Sequence, residues 1–201
     1  VSETDLRETF LPAFRDLVVN GKAESVMCSY NAFRGQPACA NDELLGKVLR
    51  GEWGFGGYVV SDCGAVIDIH ESHKARRTAA EGAAMALLAG TDLECGSGSW
   101  VPGSPDSFQA LGDAVEQGLV KESDLDRALR RLFRAQFKLG VYDPPQRLPW
   151  AGYTYESVVD SPKHRQLALE AARKSIVLLK NEKATLPLKK GLGSLAVIGP
   201  N

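Results

Sequence analysis

The sequence has no surplus of positive charge. Its 24 Lys and Arg stand against 25 Asp and Glu, for a net charge of -1 and a pI near 6.4. With no basic excess to hold a polyanion, nucleic acid and anionic membranes are excluded as main partners, and a neutral substrate fits better. Long hydrophobic runs are also missing. Stretches such as Ile176-Val177-Leu178-Leu179 fall far short of the roughly 20 apolar residues that span a bilayer, so no membrane crossing is expected. The four cysteines, Cys28, Cys39, Cys63 and Cys95, contain no C-x-x-C pair, and His70-Glu71-Ser72-His73 is not H-E-x-x-H. Neither a zinc site nor a thioredoxin-like motif is supported, and the expectation is no metal and no cofactor. Composition alone leaves the cysteines as free thiols or two disulfides and favours plain buried thiols. Internal repeats and low-complexity tracts are absent.

What is present is an ordinary globular composition: 201 residues, 44% hydrophobic and 24% charged, enough for one sizeable core or parts of two domains. The first residue is Val1, Ser2 to Asp5 reads as a capped helix start, and Leu195 to Ile198 reads as a new buried strand running into Gly199-Pro200-Asn201. Both ends are expected to be cut from a longer chain, so a missing signal peptide says nothing about secretion.

Helical periodicity from about Glu3 to Val19 gives way to a buried strand at Ser25 to Tyr30, then a loop rich in Asn, Gly and Pro. Asn41 caps a helix to about Arg50, and Tyr58 to Ser61 forms a second strand. Thr78 to Leu88 is an alanine-rich helix closed by Gly90, and Thr91 to Glu94 a third strand. Strands and helices alternating in this way predict parallel β/α units with function in the loops after the strands, so Tyr30, Asp62 and Cys95 should face one mouth. Helices follow at about Ser107 to Gln117 and Ser123 to Leu139. The second carries Leu125, Leu129, Leu132, Phe133 and Phe137 as an expected core stripe. A closed (β/α)8 barrel needs eight such units and roughly 250 residues, so three units amount at most to its C-terminal part. Asp143-Pro144-Pro145 cannot continue a helix and reads as the exit to a linker. Beyond it, a helix at Pro162 to Lys174 and strands at Ser175 to Leu179 and Leu195 to Ile198 open a second α/β unit.

A carboxylate at the C-terminal end of a buried strand, followed by the small residues Cys63, Gly64 and Ala65, suits a nucleophile that is held rigidly and left open. Standing alone, Ser61-Asp62 after a strand is more often a helix cap.

Longer motifs surround it. Val26-Met27-Cys28-Ser29-Tyr30-Asn31, Gly35-Gln36-Pro37-Ala38-Cys39-Ala40-Asn41, Leu49-Arg50-Gly51-Glu52-Trp53-Gly54-Phe55-Gly56-Gly57 and Val59-Val60-Ser61-Asp62 stand in fixed order. Ala89 to Gly96, Ser175 to Asn181 and Ala196 to Asn201 complete the set. Across nearly the whole chain this resembles family 3 glycoside hydrolases. The resemblance implies the C-terminal part of a (β/α)8 barrel at 1–143, a linker at 144–161 and the start of an α/β sandwich domain at 162–201. It implies a retaining, exo-acting β-glycosidase that removes one sugar from an oligosaccharide or an aryl or alkyl glycoside. Asp62 aligns with the nucleophile, Tyr30 with the tyrosine against the sugar, and Met27 lines the same pocket. The general acid/base glutamate lies beyond Asn201, so none is in this chain, and Glu52, Glu71 and Glu94 are structural or exposed.

Where many relatives carry Trp after the nucleophile, this sequence has Cys63, which becomes a rim residue without an aromatic platform. Ser61-Asp62-Cys63 with Asp92-Leu93-Glu94-Cys95-Gly96 resembles the β-xylosidase-like branch. It implies pairs Cys28–Cys39 and Cys63–Cys95 and, if they form, a secreted or periplasmic setting. A β-glucosidase, an α-L-arabinofuranosidase or a non-catalytic sugar-binding relative shares the same frame.

Overall fold

In the computed structural model, which describes residues 1–96 and 107–199, Ser2 opens α1 (Glu3–Asp5) with a reciprocal cap. Its hydroxyl accepts the Asp5 N–H at 3.0 Å while the Asp5 carboxylate accepts the Ser2 N–H. A π turn at Leu6–Phe10 leads to α2 (Pro12–Val19), with proline at its first position, where no intrahelical donor is required. β1 (Ser25–Cys28) follows. The Asn- and Gly-rich loop after it is a small antiparallel hairpin, β2 (Ala32–Phe33) and β3 (Gln36–Pro37), turned through Arg34 and Gly35, whose φ angles of 51° and 76° suit a two-residue turn.

Asn41 then does what its position predicts. Its Oδ1 accepts the Leu44 N–H at 3.0 Å at the head of the π-helical stretch Glu43–Glu52. β4 (Tyr58–Ser61) pairs in parallel with β1, Ser25 opposite Tyr58 and Cys28 opposite Ser61, and Leu93 bridges Val60 in parallel on the other side. The approach to β4 requires glycine: a Cβ on Gly57 would lie 2.1 Å from the Glu24 carbonyl oxygen. After α3 (Asp68–Glu71), Thr78 and Glu81 form a capping box for α4 (Ala79–Ala89), which closes at Gly90. α5 (Leu111–Glu116) and α6 (Glu122–Lys138) complete the first unit.

One core lies between this sheet and its helices, and a second lies among α4, α5 and α6. Val59 and Cys28 pack with Val18, Leu45, Leu49 and Phe55, with Trp53 partly buried against them. The alanine side of α4 meets Ala114, Val120 and Ala128. The architecture is α/β.

Several expected elements differ. Thr91–Glu94 makes a single bridge at Leu93 rather than a full strand, because Asp92 turns its carboxylate back onto the Val59 N–H at 2.9 Å. The apolar stripe of α6 is core only in part: Leu125 packs against the α4 cluster and Leu132 is half-buried, while Leu129, Phe133 and Phe137 are exposed and the helix fully buries Ala128 and Ala135. Periodicity identifies an apolar face but not whether a partner covers it.

The chain divides into two units, Val1–Asp143 and Pro144–Asn201. The second contains α7 (Tyr155–Val158) and α8 (Pro162–Ser175), capped by Ser161. Of its expected strands, Ser175 instead ends α8, and Ile176 to Leu179 and Leu195 to Ile198 pair with no strand among the described residues, with Leu179 91% exposed. A strand needs a neighbour for its N–H and C=O groups, and none is supplied among the described residues. Pro200 and Asn201 lie outside them, as does the glycine-rich loop after Gly96.

Candidate active site

Residues of β4 alternate between faces. Val59 and Ser61 are buried, and Tyr58 and Val60, on the other face, are less so. Asp62 continues the second set. Its N–H donates to the Cys28 carbonyl at 2.9 Å, extending the parallel ladder by one residue. Its carbonyl accepts the Ala65 N–H at 3.0 Å, closing a turn through Cys63 and Gly64, and the φ of 83° at Gly64 is one that glycine adopts without steric cost. The Cys63 N–H donates to Asp62 Oδ1 at 2.8 Å. The carboxylate therefore does not cap α3, whose N-cap position is Ile67. It is half-buried, with one oxygen oriented by a backbone amide at the end of a strand.

Cys63 connects the parts. Its sulfur is bonded to Cys95, whose N–H donates to Ser61 Oγ at 3.0 Å and whose carbonyl accepts the Gly64 N–H at 3.0 Å. Its carbonyl accepts the Tyr30 hydroxyl at 2.5 Å. Tyr30, Asp62 and Cys95 thus lie just past β1, β4 and the Leu93 bridge, at one end of the sheet. Cys28 and Cys39 are also bonded, and Thr91 Oγ1 donates to the Cys39 carbonyl at 2.7 Å.

Tyr30 is 46% exposed. Desolvation first, then the charge of Asp62 and hydrogen bonding to it, then the charge of Asp68, hold its phenol above the usual tyrosine range. Met27 stands in register with Val60, on the face that Asp62 continues, and is 55% exposed. His73 Nε2 lies 2.9 Å from the Tyr30 carbonyl, and His70 Nε2 lies 3.8 Å from Glu71. Among the described residues no group of three or more His, Cys, Asp or Glu is placed to hold a metal ion, and no helix is long and apolar enough to cross a membrane. Glu52 is taken by Arg7, and Glu94 accepts the Phe108 N–H.

A second cluster escaped sequence reasoning. Asp92, its side chain 1% exposed, accepts from Arg50 at 2.6 Å, from Arg131 at 2.7 Å and from the Val59 N–H. Arg50 also donates to the carbonyls of Gly57 and Gly90. Burial lowers the Arg50 pKa, and the Asp92 charge opposes that shift. The available signal was an ionisable residue inside a buried strand, which requires a partner. The network braces β4 three residues before Asp62.

Comparison with known proteins places these features in a family. The profile described as "Glycosyl hydrolase family 3 N terminal domain" matches residues 1–135. A xylan 1,4-β-xylosidase of Xylanibacter ruminicola is 42% identical over 201 residues, all of this chain and 22% of that protein. A β-xylosidase/α-L-arabinofuranosidase of Medicago sativa subsp. varia is 43% identical over 203 residues, all of this chain and 25% of that protein. A solved family 3 exo-β-xylosidase, in complex with a xylobiose aziridine activity-based probe, superposes with a TM-score of 0.82 at 37% identity, over 96% of this chain and 24% of that one. The chain spans about a quarter of the length of these relatives.

Proposed function

The chain belongs to glycosyl hydrolase family 3, and from that membership we propose that it is part of a retaining, exo-acting β-xylosidase in which Asp62 is the nucleophile. The observation that carries the reading is the Asp62 carboxylate itself: strand-held, half-buried, oriented by the Cys63 N–H and not used to cap a helix. In retaining hydrolysis such a carboxylate attacks the anomeric carbon while a second carboxyl group, about 5–5.5 Å away, protonates the leaving oxygen and later activates water. That second group belongs to residues outside this chain, so the chain alone should not turn over a glycoside.

Tyr30 and Met27 contribute to the glycone pocket and Cys63 to its rim. The substrate is a neutral oligosaccharide or aryl glycoside with a terminal non-reducing xylose. Supporting xylose is the name of the Xylanibacter relative, together with a cysteine where an aromatic platform would stand. Residues 1–143 form the C-terminal part of the barrel, 144–161 the linker and 162–201 the start of the sandwich domain. The two disulfides fit a secreted or periplasmic setting.

The test is Asp62→Asn in the full-length parent enzyme, assayed on a panel of aryl β-xylosides, β-glucosides and α-L-arabinofuranosides. Turnover should fall by about 10⁴-fold with the fold retained. Unchanged turnover overturns the nucleophile, and a preference for glucoside or arabinoside overturns the xylosidase assignment.

A further inference from the structure

We propose that His73 is a positioning residue for the glycone pocket, acting through Tyr30; this rests on the reading of Tyr30 as a sugar contact. The His70-Glu71-Ser72-His73 segment has no metal geometry among the described residues, yet His73 is the one member of it that reaches the site.

A carbonyl oxygen only accepts, so the 2.9 Å contact between His73 Nε2 and the Tyr30 carbonyl places a proton on Nε2. The opposite end of Tyr30, its hydroxyl, donates to the Cys63 carbonyl. Both ends of one residue are therefore held by the single segment that runs from Asp62 to His73. Packing does not do this work, because Tyr30 is almost half exposed and an aromatic side chain on a loop keeps its rotamer freedom.

The His73 end is itself anchored. Its N–H donates to the Asp68 carbonyl at 2.7 Å, Ser72 Oγ donates to Asp68 Oδ1 at 2.6 Å, and Ile69 in the same turn is fully buried. His73 thus transmits the position of a buried turn to a half-exposed ring. Loss of the His73 Nε2–H frees the Tyr30 backbone carbonyl and leaves the residue held from this segment at its hydroxyl alone.

The experiment is a double-mutant cycle on kcat/KM for an aryl β-xyloside in the full-length parent enzyme, using His73→Phe, which keeps a ring but lacks the donor, and Tyr30→Ala. His73→Phe should lower kcat/KM by about 3- to 10-fold, the range of one net hydrogen bond. In the Tyr30→Ala background it should change kcat/KM by less than about 1.5-fold, since coupled residues do not add. His73→Gln, which keeps an N–H donor, should restore most of the loss, an outcome that general loss of folding would not give. Equal losses with and without Tyr30, or no rescue by glutamine, overturn the role of His73 while leaving the glycone reading intact. An inert Tyr30→Ala overturns the glycone reading and this proposal together.

Discussion

Tyr30 and Cys63, thirty-three residues apart, meet where the Tyr30 hydroxyl donates to the carbonyl of the residue that follows Asp62. The nucleophile candidate and the aromatic beside it are therefore not positioned independently. One backbone unit orients the carboxylate through its N–H and the phenol through its C=O.

That pairing makes Tyr30 a reporter of Asp62. Its folded-state pKa is raised, so the stabilisation it contributes is fully present below the unfolded value of about 10 and is lost as pH rises through the folded value. Tyr30→Phe should remove a late phase from the phenolate absorbance titration of the chain. Asp62→Asn should shift that phase to lower pH, because a negative charge opposing ionisation has gone. A Tyr30 phase that does not move on Asp62→Asn contradicts the coupling.

The two disulfides should differ in weight. The Cys28–Cys39 bridge closes 11 residues and Cys63–Cys95 closes 32, for which loop entropy gives about 3 and about 4 kcal/mol. Paired Cys→Ala variants compared by urea unfolding of the chain should show the larger loss for the second pair. Losing it should also loosen the Asp62 turn, read as faster amide exchange at Cys63 and Gly64.

Asp92→Ala leaves Arg50 and Arg131 without their shared carboxylate and the Val59 N–H without its side-chain acceptor. A loss of about 3–5 kcal/mol is expected, as for other broken buried pairs, and urea unfolding reads it. Asp92→Asn should lose less, since an amide oxygen can still accept one of these bonds.

Gly57→Ala brings a methyl group into the Glu24 backbone, which cannot move aside as a side chain can, and against the buried Phe55 ring. The cost should exceed the roughly 1–3 kcal/mol of ordinary overpacking, with weakened protection of the Tyr58 N–H, which donates to Glu24, in hydrogen exchange.

Local chemistry was the legible part. Thr78 with Glu81, Asn41 with Leu44 and Ser2 with Asp5 satisfy each other within three residues, so those helix starts could be read directly. The β4 strand was equally plain, since Val59-Val60 between Gly57 and Asp62 needs only its own apolarity. Distant pairing was not legible. Asp92 meets Arg50 and Arg131 across 42 and 39 residues, and His73 meets Tyr30 across 43, distances at which no periodicity operates. The strands expected after Ser175 failed for a different reason: apolar runs show what a segment would bury but cannot supply the neighbour that buries it. The nucleophile role proposed for Asp62 rests on family resemblance, because a carboxylate after a strand also suits a cap.

The shared carboxylate of Asp92 also constrains how this architecture can be recombined. A chimera whose crossover falls between Asp92 and α6 would inherit the acid from one parent and the helix from another. If the incoming helix lacked a cation in the place of Arg131, the graft would carry a buried acid with one cation beside it instead of two. The interchangeable block therefore runs from Arg50 through Arg131, and shuffling designs should cut outside it.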